Sequence, residues 1–424
     1  MRRMPMLPAA AIAFLALGLL VAACGGVAAA SKLAVIVTPG STLSTQPFAV
    51  RVRGAAGGAR VTLRLTGTDA RGVRWSSSAR FSADGSGRVD TASSAPTGGD
   101  YHGVQEMGLF AALHSPAAGA TLAPFFWTHR AMPFTVTAQS SGRRASATLA
   151  RSLFAAGVTC RQVTLAGEGF EGQFCAPPGT QRGPAILQIG GSEGGIGILD
   201  GPPIASAGYP ILDLGYFKLP GLPQTLSDIP LEYFATALRW LDEQPDVNPA
   251  QVFVMGASRG SEAAELLGAN YPALVHGVVS LSPSAIAFGS LPAGGPAWTL
   301  GGRPVPYSAA FSADSPVQDP AADIHVEAIH GPILFACGEK DEEWTSCAYA
   351  REMMQRLSAH HTRYRHVLYA YPKAGHLINI LLPYQPLPLY VNPETGASDL
   401  AAANQAGVVS LWTRFLHFLP RAVD

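Results

Sequence analysis

The sequence predicts an α/β fold with an antiparallel β-sandwich ahead of it, and three observations carry that prediction. From about Val158 onward, apolar strand-like runs alternate with helical segments, the βα alternation of a parallel sheet. Within that half, Val252-Phe253-Val254-Met255 runs into Gly256-Ala257-Ser258-Arg259-Gly260 and leaves through Glu262-Ala263-Ala264-Glu265-Leu266-Leu267, a strand, a sharp turn and a helix. Between about Lys32 and Leu149, short alternating runs recur between Gly, Ser and Asp turns, and helical periodicity is absent. The expected units are a targeting segment over 1–23, an immunoglobulin-like sandwich over 32–150 and an α/β unit over 158–424.

The first unit reads as an export signal. Met1-Arg2-Arg3 is a positive n-region and Ala9 to Val21 an apolar h-region, shorter than the roughly 20 residues a spanning helix needs. Val21-Ala22-Ala23-Cys24 then reads as a lipobox, which predicts lipid attachment at Cys24 and a membrane-anchored lipoprotein of a bacterial cell envelope; a plain signal peptide cut near Ala23 or Ala30 is the alternative. Removing Cys24 leaves four cysteines in an oxidising compartment. Three pairings are possible, and the sequential one is expected: Cys160 with Cys175 across a hairpin-like turn, Cys337 with Cys347 around a short loop. Four free buried thiols are the competing reading.

In the sandwich, Phe48-Ala49-Val50-Arg51-Val52-Arg53 and Val61-Thr62-Leu63-Arg64-Leu65 show the period of two, and no triad candidate lies there. In the second half, Leu231, Phe234, Leu238 and Leu241 fall on one helical face before Pro245. The segment 284–323, rich in Gly, Pro and Ala, interrupts the alternation and is expected as a cap, with a plain long loop as the alternative.

The turn at Ser258 is the nucleophile elbow of an α/β-hydrolase fold, in which flanking glycines let a strand turn sharply into a helix. With 46 glycines a chance match is expected, and Gly190-Gly191-Ser192-Glu193-Gly194 supplies one. That second turn follows Ala185-Ile186-Leu187-Gln188-Ile189 but leads into Gly195-Ile196-Gly197-Ile198, which has no amphipathic helical pattern. Ser258 is therefore read as the nucleophile. The oxyanion donors are then the backbone N–H groups of Arg259 and of the Ser192/Glu193 turn. The triad order Ser, acid, His places the base at His376, in Lys373-Ala374-Gly375-His376-Leu377 after a strand, and the acid in Gly338-Glu339-Lys340-Asp341-Glu342-Glu343-Trp344. Asp341 is preferred, while spacing leaves Glu339, Glu342 and Glu343 open. No histidine or cysteine pair has metal-ligand spacing, so neither a metal nor a cofactor is expected. Formal net charge is zero and no long basic run exists, which argues against nucleic acid as a partner.

These motifs together resemble the acyl-CoA thioesterase and bile acid-CoA:amino acid N-acyltransferase family. The resemblance runs from about Ala34 to the C-terminus and rests on Tyr101 to Leu109, Leu231-Glu232-Tyr233-Phe234, the Ser258 elbow, the Gly338 to Trp344 loop and Ala374-Gly375-His376-Leu377-Ile378. It implies an α/β-hydrolase catalytic domain behind a β-sandwich and a Ser258-Asp341-His376 triad, with Asp341 on the family's aspartate. The implied activity is hydrolysis of small-molecule acyl thioesters. Amidating members usually carry cysteine as nucleophile, so Ser258 favours hydrolysis. Asn379-Ile380-Leu381 stands where the family often has an acidic residue and prolines, so that wall of the pocket differs. CoA esters are cytoplasmic, and the export signal therefore keeps two alternatives open: a carboxylesterase or acyltransferase acting on envelope lipids, and a non-catalytic surface binding protein.

Overall fold

The computed structural model describes residues 32–115, 125–128, 130–179, 181–197, 201–386 and 398–422; the targeting segment and Cys24 lie outside them. The first nine strands are β1 (Ala34–Thr38), β2 (Ser41–Leu43), β3 (Ala49–Arg53), β4 (Arg60–Thr68), β5 (Arg74–Ser82), β6 (Val89–Asp90), β7 (Gly98–Gly99), β8 (Met132–Ser140) and β9 (Arg143–Ser152). They form a three-stranded sheet, β1-β3-β6, and a six-stranded sheet, β2-β9-β8-β4-β5-β7. Alternate residues of both sheets, including Val50, Val52 and Val89 from one and Val61, Leu63, Leu65 and Val136 from the other, meet in one buried core. The pairing departs from a purely antiparallel sandwich at one place, because the short edge strand β2 runs parallel to β9.

The second half adds β10 (Thr159–Val163), β11 (Glu171–Ala176), β12 (Gly183–Ile189), β13 (Ile211–Gly215), β14 (Ile229–Pro230), β15 (Val247–Ala257), β16 (Gly277–Leu281), β17 (Trp298–Leu300), β18 (Arg303–Pro304), β19 (Ile333–Gly338) and β20 (His366–Tyr371). Eight of these make one sheet in the order β10-β11-β13-β12-β15-β16-β19-β20. β11 is antiparallel to both neighbours and every other pair is parallel. That order and polarity are those of the α/β-hydrolase sheet, so the fold is an α/β-hydrolase with an N-terminal β-sandwich.

The sheet sorts its residues by period two. Leu187, Val254 and Val278 face the helices Leu231–Asp242, Arg259–Asn270 and Ser346–Ala359, while Ile186, Phe253, Met255 and Val279 face Gly201–Ser206 and the C-terminal helix Ser398–Ala422. Both faces are covered, which is why the central strands read as mostly apolar runs, broken by the buried Gln188, Asp213 and Ser280. The helix Leu231–Asp242 buries the predicted Leu231, Phe234, Leu238 and Leu241. The sandwich is tied to this unit by Gln385, which accepts from Trp127 Nε1 at 2.8 Å and donates to the Phe125 carbonyl at 3.0 Å.

Cys160 and Cys175 face each other in register on β10 and β11 and are disulfide-bonded. Their connection is more than a bare hairpin turn. Thr164 caps a single helical turn, Leu165–Glu168, which Gly169 ends at φ 85°. Cys337 on β19 is bonded to Cys347 near the start of the helix Ser346–Ala359. In the segment 284–323, β17 pairs antiparallel with β18 and, outside the segment, in parallel with β14, a small three-stranded sheet separate from the eight-stranded one.

Candidate active site

β15 ends against Ser258, and the helix Arg259–Asn270 begins immediately after it. Ser258 has φ 54°, a left-handed conformation that a non-glycine residue adopts only when its surroundings enforce it, at about 1–3 kcal/mol. Here the enforcement is visible. Ser258 N–H donates to the Leu281 carbonyl at 2.9 Å, and Ser261 N–H and Oγ both donate to the Ser258 carbonyl. A side chain at Gly256 would overlap the Gly260 carbonyl, and one at Gly260 would overlap the carbonyls of Ile189 and Gly190. Two glycines are thus required at these positions, and the second also lets the Gly190 loop lie against the elbow.

His376 starts a short 3₁₀ turn after β20 and is buried. Its Nε2 is 2.9 Å from Ser258 Oγ, and its Nδ1 is 2.9 and 3.0 Å from the two Asp341 oxygens. Nδ1–H donates to the carboxylate in this arrangement, which leaves Nε2 as the acceptor for the serine proton. The histidine loop is held on its backbone as well. His376 N–H donates to Glu342 Oε2 at 3.0 Å, its carbonyl accepts from Ser282 Oγ at 2.9 Å, and Gly375 N–H donates to Asn404 Oδ1 at 2.6 Å. Trp344 stands edge-on to the imidazole at 5.3 Å between ring centroids. Burial alone lowers the basicity of His376, but the hydrogen bond and charge of Asp341, with Glu343 and Glu342 adding charge, outweigh it, and the net shift is upward.

The acid loop separates what spacing left open. Only Asp341 has its carboxylate on the imidazole. Its Oδ1 accepts from the N–H groups of Glu343 and Trp344, and its Oδ2 from Ser346 Oγ. Glu339 pairs with Arg351, Glu342 holds the His376 backbone, and Glu343 is exposed.

Of the expected oxyanion residues, Arg259 opens the elbow helix, where its N–H precedes the first intrahelical bond. Ser192 and Glu193 are exposed in the loop after β12. Besides Gly190, whose carbonyl lies against Gly260, the loop residue next to Ser258 itself is Gly191, where a Cβ would come within 3.0 Å of Ser258 Cβ. The Gly191 N–H is already committed to Glu193 Oε1 at 2.9 Å.

The structure adds residues that sequence reasoning missed. Tyr216 and Lys218 bond the carbonyls of the Gly190 loop. Arg259 is buried with its Nε 2.6 Å from Glu262 Oε1, and its Nη2 donates to the carbonyls of Phe288 and Gly289 at 2.9 Å each. Glu262 Oε2 in turn accepts from Trp298 Nε1 at 2.9 Å and from Phe288 N–H at 3.2 Å. This buried pair fastens the 284–323 segment to the elbow helix. Phe288 stacks on Trp344, and the exposed Phe311 closes on both rings, so an aromatic wall runs from solvent to His376. An (i, i+3) Arg-Glu pair on a helix was the one signal available, and it reads equally as surface charge. Among the described residues no group of three or more His, Cys, Asp or Glu could hold a metal ion.

Comparison with known proteins bears on most of the chain, in both halves. Residues 45–165 match the family described as the acyl-CoA thioester hydrolase/BAAT N-terminal region. Residues 229–291 and 307–419 match the BAAT/acyl-CoA thioester hydrolase C-terminal family, with the break inside the 284–323 segment. Acyl-coenzyme A thioesterase 6 of Mus musculus is 30% identical over 365 residues, 81% of this chain and 84% of that protein. Acyl-coenzyme A amino acid N-acyltransferase 2 of Rattus norvegicus is 29% identical, over 84% of this chain and 88% of its own. Peroxisomal succinyl-coenzyme A thioesterase of Mus musculus is 27% identical, over 88% of this chain and 92% of its own.

Proposed function

Since the chain belongs to the acyl-CoA thioester hydrolase/BAAT family, it is an enzyme of the thioester-hydrolase class, and we propose that Ser258, His376 and Asp341 carry the reaction on acyl-CoA-type thioesters through an acyl-enzyme. The observation that supports this most is the continuous line from Asp341 through His376 to Ser258, each step at hydrogen-bond distance. Ser258 Oγ attacks the acyl carbonyl while its proton passes to His376 Nε2. Asp341 holds the Nδ1–H tautomer and stabilises the imidazolium. The carbonyl oxygen becomes an oxyanion between the N–H groups of Arg259 and of the Ser192/Glu193 turn, with the positive end of the elbow helix beneath it. The C–S bond breaks, the thiol leaves with the proton, and His376 then deprotonates water to release the acid. The 284–323 segment serves as the cap, with Phe288, Phe311 and Trp344 as the apolar wall for the acyl group.

The relatives include both thioesterases and an N-acyltransferase. A serine nucleophile supports hydrolysis here. The test is acid formation from a panel of acyl-CoA, p-nitrophenyl and glycerolipid esters, followed as released thiol, p-nitrophenol and alcohol respectively, with and without added amino acids. Amine-independent acid formation from thioesters supports the reading; a requirement for an amine acceptor overturns it.

A second reading of the substrate has its own support. Two disulfides suit an oxidising compartment, and the lipobox at Cys24 suits export with a lipid anchor. On that reading the same triad acts on thioesters or esters outside the cytoplasm, including lipids of the cell envelope. Preference for glycerolipid esters over acyl-CoA in the same panel would select it.

A further inference from the structure

The Gly190 loop could present its N–H groups in many directions, because it contains four glycines within Gly190 to Gly195. Four consecutive carbonyls of this loop are nevertheless held. The Tyr216 hydroxyl shares its one proton between the Gly190 carbonyl at 2.9 Å and the Gly191 carbonyl at 3.1 Å. Lys218 Nζ donates to the Ser192 carbonyl at 3.2 Å and the Glu193 carbonyl at 3.0 Å. In a trans peptide the N–H of one residue points opposite to the C=O of the residue before it. Fixing the Gly191 carbonyl on Tyr216 therefore turns the Ser192 N–H away from Tyr216. Fixing the Ser192 carbonyl on Lys218 turns the Glu193 N–H away from Lys218.

Both side chains are themselves placed at a cost or under constraint. Tyr216 is buried among Phe217, Phe234 and Trp298, and burial holds its phenol well above the ordinary range, so it remains a donor. Lys218 has φ 55°, an unfavourable conformation for a residue with a side chain, and its N–H is fixed on the Pro223 carbonyl at 2.8 Å. Gly191 meanwhile sits directly against Ser258. We propose that Tyr216 and Lys218 are positioning residues that aim the Ser192 and Glu193 N–H groups at the oxyanion formed over Ser258, an inference that rests on the serine-hydrolase reading above.

The experiment uses the full chain with Tyr216→Phe, Lys218→Met and Lys218→Arg. Three quantities are read: steady-state kcat and KM, the labelling rate by a fluorophosphonate, and the affinity of an acyl trifluoromethyl ketone against that of a non-hydrolysable thioether. Removing one oxyanion donor outright costs about 10²–10³ in kcat, so misaiming one is expected to cost about 10–100-fold. Tyr216→Phe and Lys218→Met should lose that much in kcat, in labelling rate and in ketone affinity. KM and thioether affinity should stay within about twofold, since those ligands carry no oxyanion. Lys218→Arg should recover most of the Lys218→Met loss. Equal weakening of ketone and thioether, or a fall in melting temperature with kcat and labelling intact, overturns the proposal. A wild-type protein that does not label at Ser258 overturns the serine-hydrolase reading as well, and that outcome is distinct from slow labelling of the variants alone.

Discussion

Opening the Cys337–Cys347 disulfide should loosen the triad acid before it unfolds the protein. The bond spans a sequence separation of 10 and closes the loop that carries Asp341. Every hydrogen bond that orients the Asp341 carboxylate, apart from the one to His376, comes from inside that ring: Glu343 N–H, Trp344 N–H and Ser346 Oγ. A loop of this size is worth about 3 kcal/mol in the chain-entropy account, and the Cys160–Cys175 ring, at a separation of 15, about the same. Cys337→Ala/Cys347→Ala and Cys160→Ala/Cys175→Ala should therefore lose similar stability, roughly 5–10 °C in melting midpoint. They should differ in turnover. The first pair should lower kcat by about tenfold at a temperature where circular dichroism shows the fold intact, because a misplaced acid weakens the base. The second, on β10 and β11 at the far edge of the sheet, should leave kcat within about twofold. The reasoning fails if the Cys337/Cys347 variant keeps full kcat, if both variants lose kcat alike, or if non-reducing peptide mapping finds these thiols free.

Ser258→Ala should lower kcat by about 10⁴–10⁶ with the fold unchanged, whereas Ser192→Ala should cost little because that residue acts through its backbone; the reverse result would exchange the roles of the two Gly-x-Ser-x-Gly turns. The raised basicity of His376 places the acid limb of kcat/KM above the ordinary imidazole value of 6.5, since the base must be neutral. Asp341→Asn removes the group that raises it while burial, which lowers it, remains; the limb should move to lower pH and kcat should fall by about 10⁴. For stability the sign is opposite to that for activity: the His376–Asp341 contribution is fully present below the unfolded histidine's pKa and is lost as pH rises through the folded one, which pH-dependent denaturation will show. Gly256→Ala and Gly260→Ala should fail to give soluble folded protein, because the added methyl meets backbone rather than a movable side chain. If Cys24 is the lipidation site, intact mass should show a diacylglyceryl thioether on an N-terminal cysteine, and an unmodified N-terminus elsewhere would exclude it.

Much of this site was readable in the chain, and the unread part has a physical reason. The elbow was legible because backbone crowding at Gly256 and Gly260 admits one residue type, so the constraint is written in the sequence. The parallel sheet was legible because β12, β13, β16, β19 and the second half of β15 are buried on both faces and are mostly apolar, with Gln188, Asp213 and Ser280 as buried polar exceptions. Four carboxylates within Glu339 to Glu343 could not be ranked by spacing, since the choice depends on which one the loop turns toward the imidazole. The parallel pairing of β2 with β9 and the hold of Tyr216 and Lys218 on the Gly190 loop depend on contacts distant in sequence, which no local pattern encodes. The Arg259–Glu262 pair was hidden for another reason: charges three apart on a helix are ordinarily solvated, and only the covering 284–323 segment buries these.

The central claim, that Ser258 carries the acyl group between thioester and water, is tested most directly by rapid mixing with a saturating acyl-CoA, acid quenching within the first turnover, and peptide mapping by mass spectrometry. The account predicts one acyl adduct, on the peptide that contains Ser258, appearing together with a stoichiometric burst of free thiol and absent from Ser258→Ala. An adduct on Ser192, or thiol release by Ser258→Ala at the wild-type rate, would contradict it.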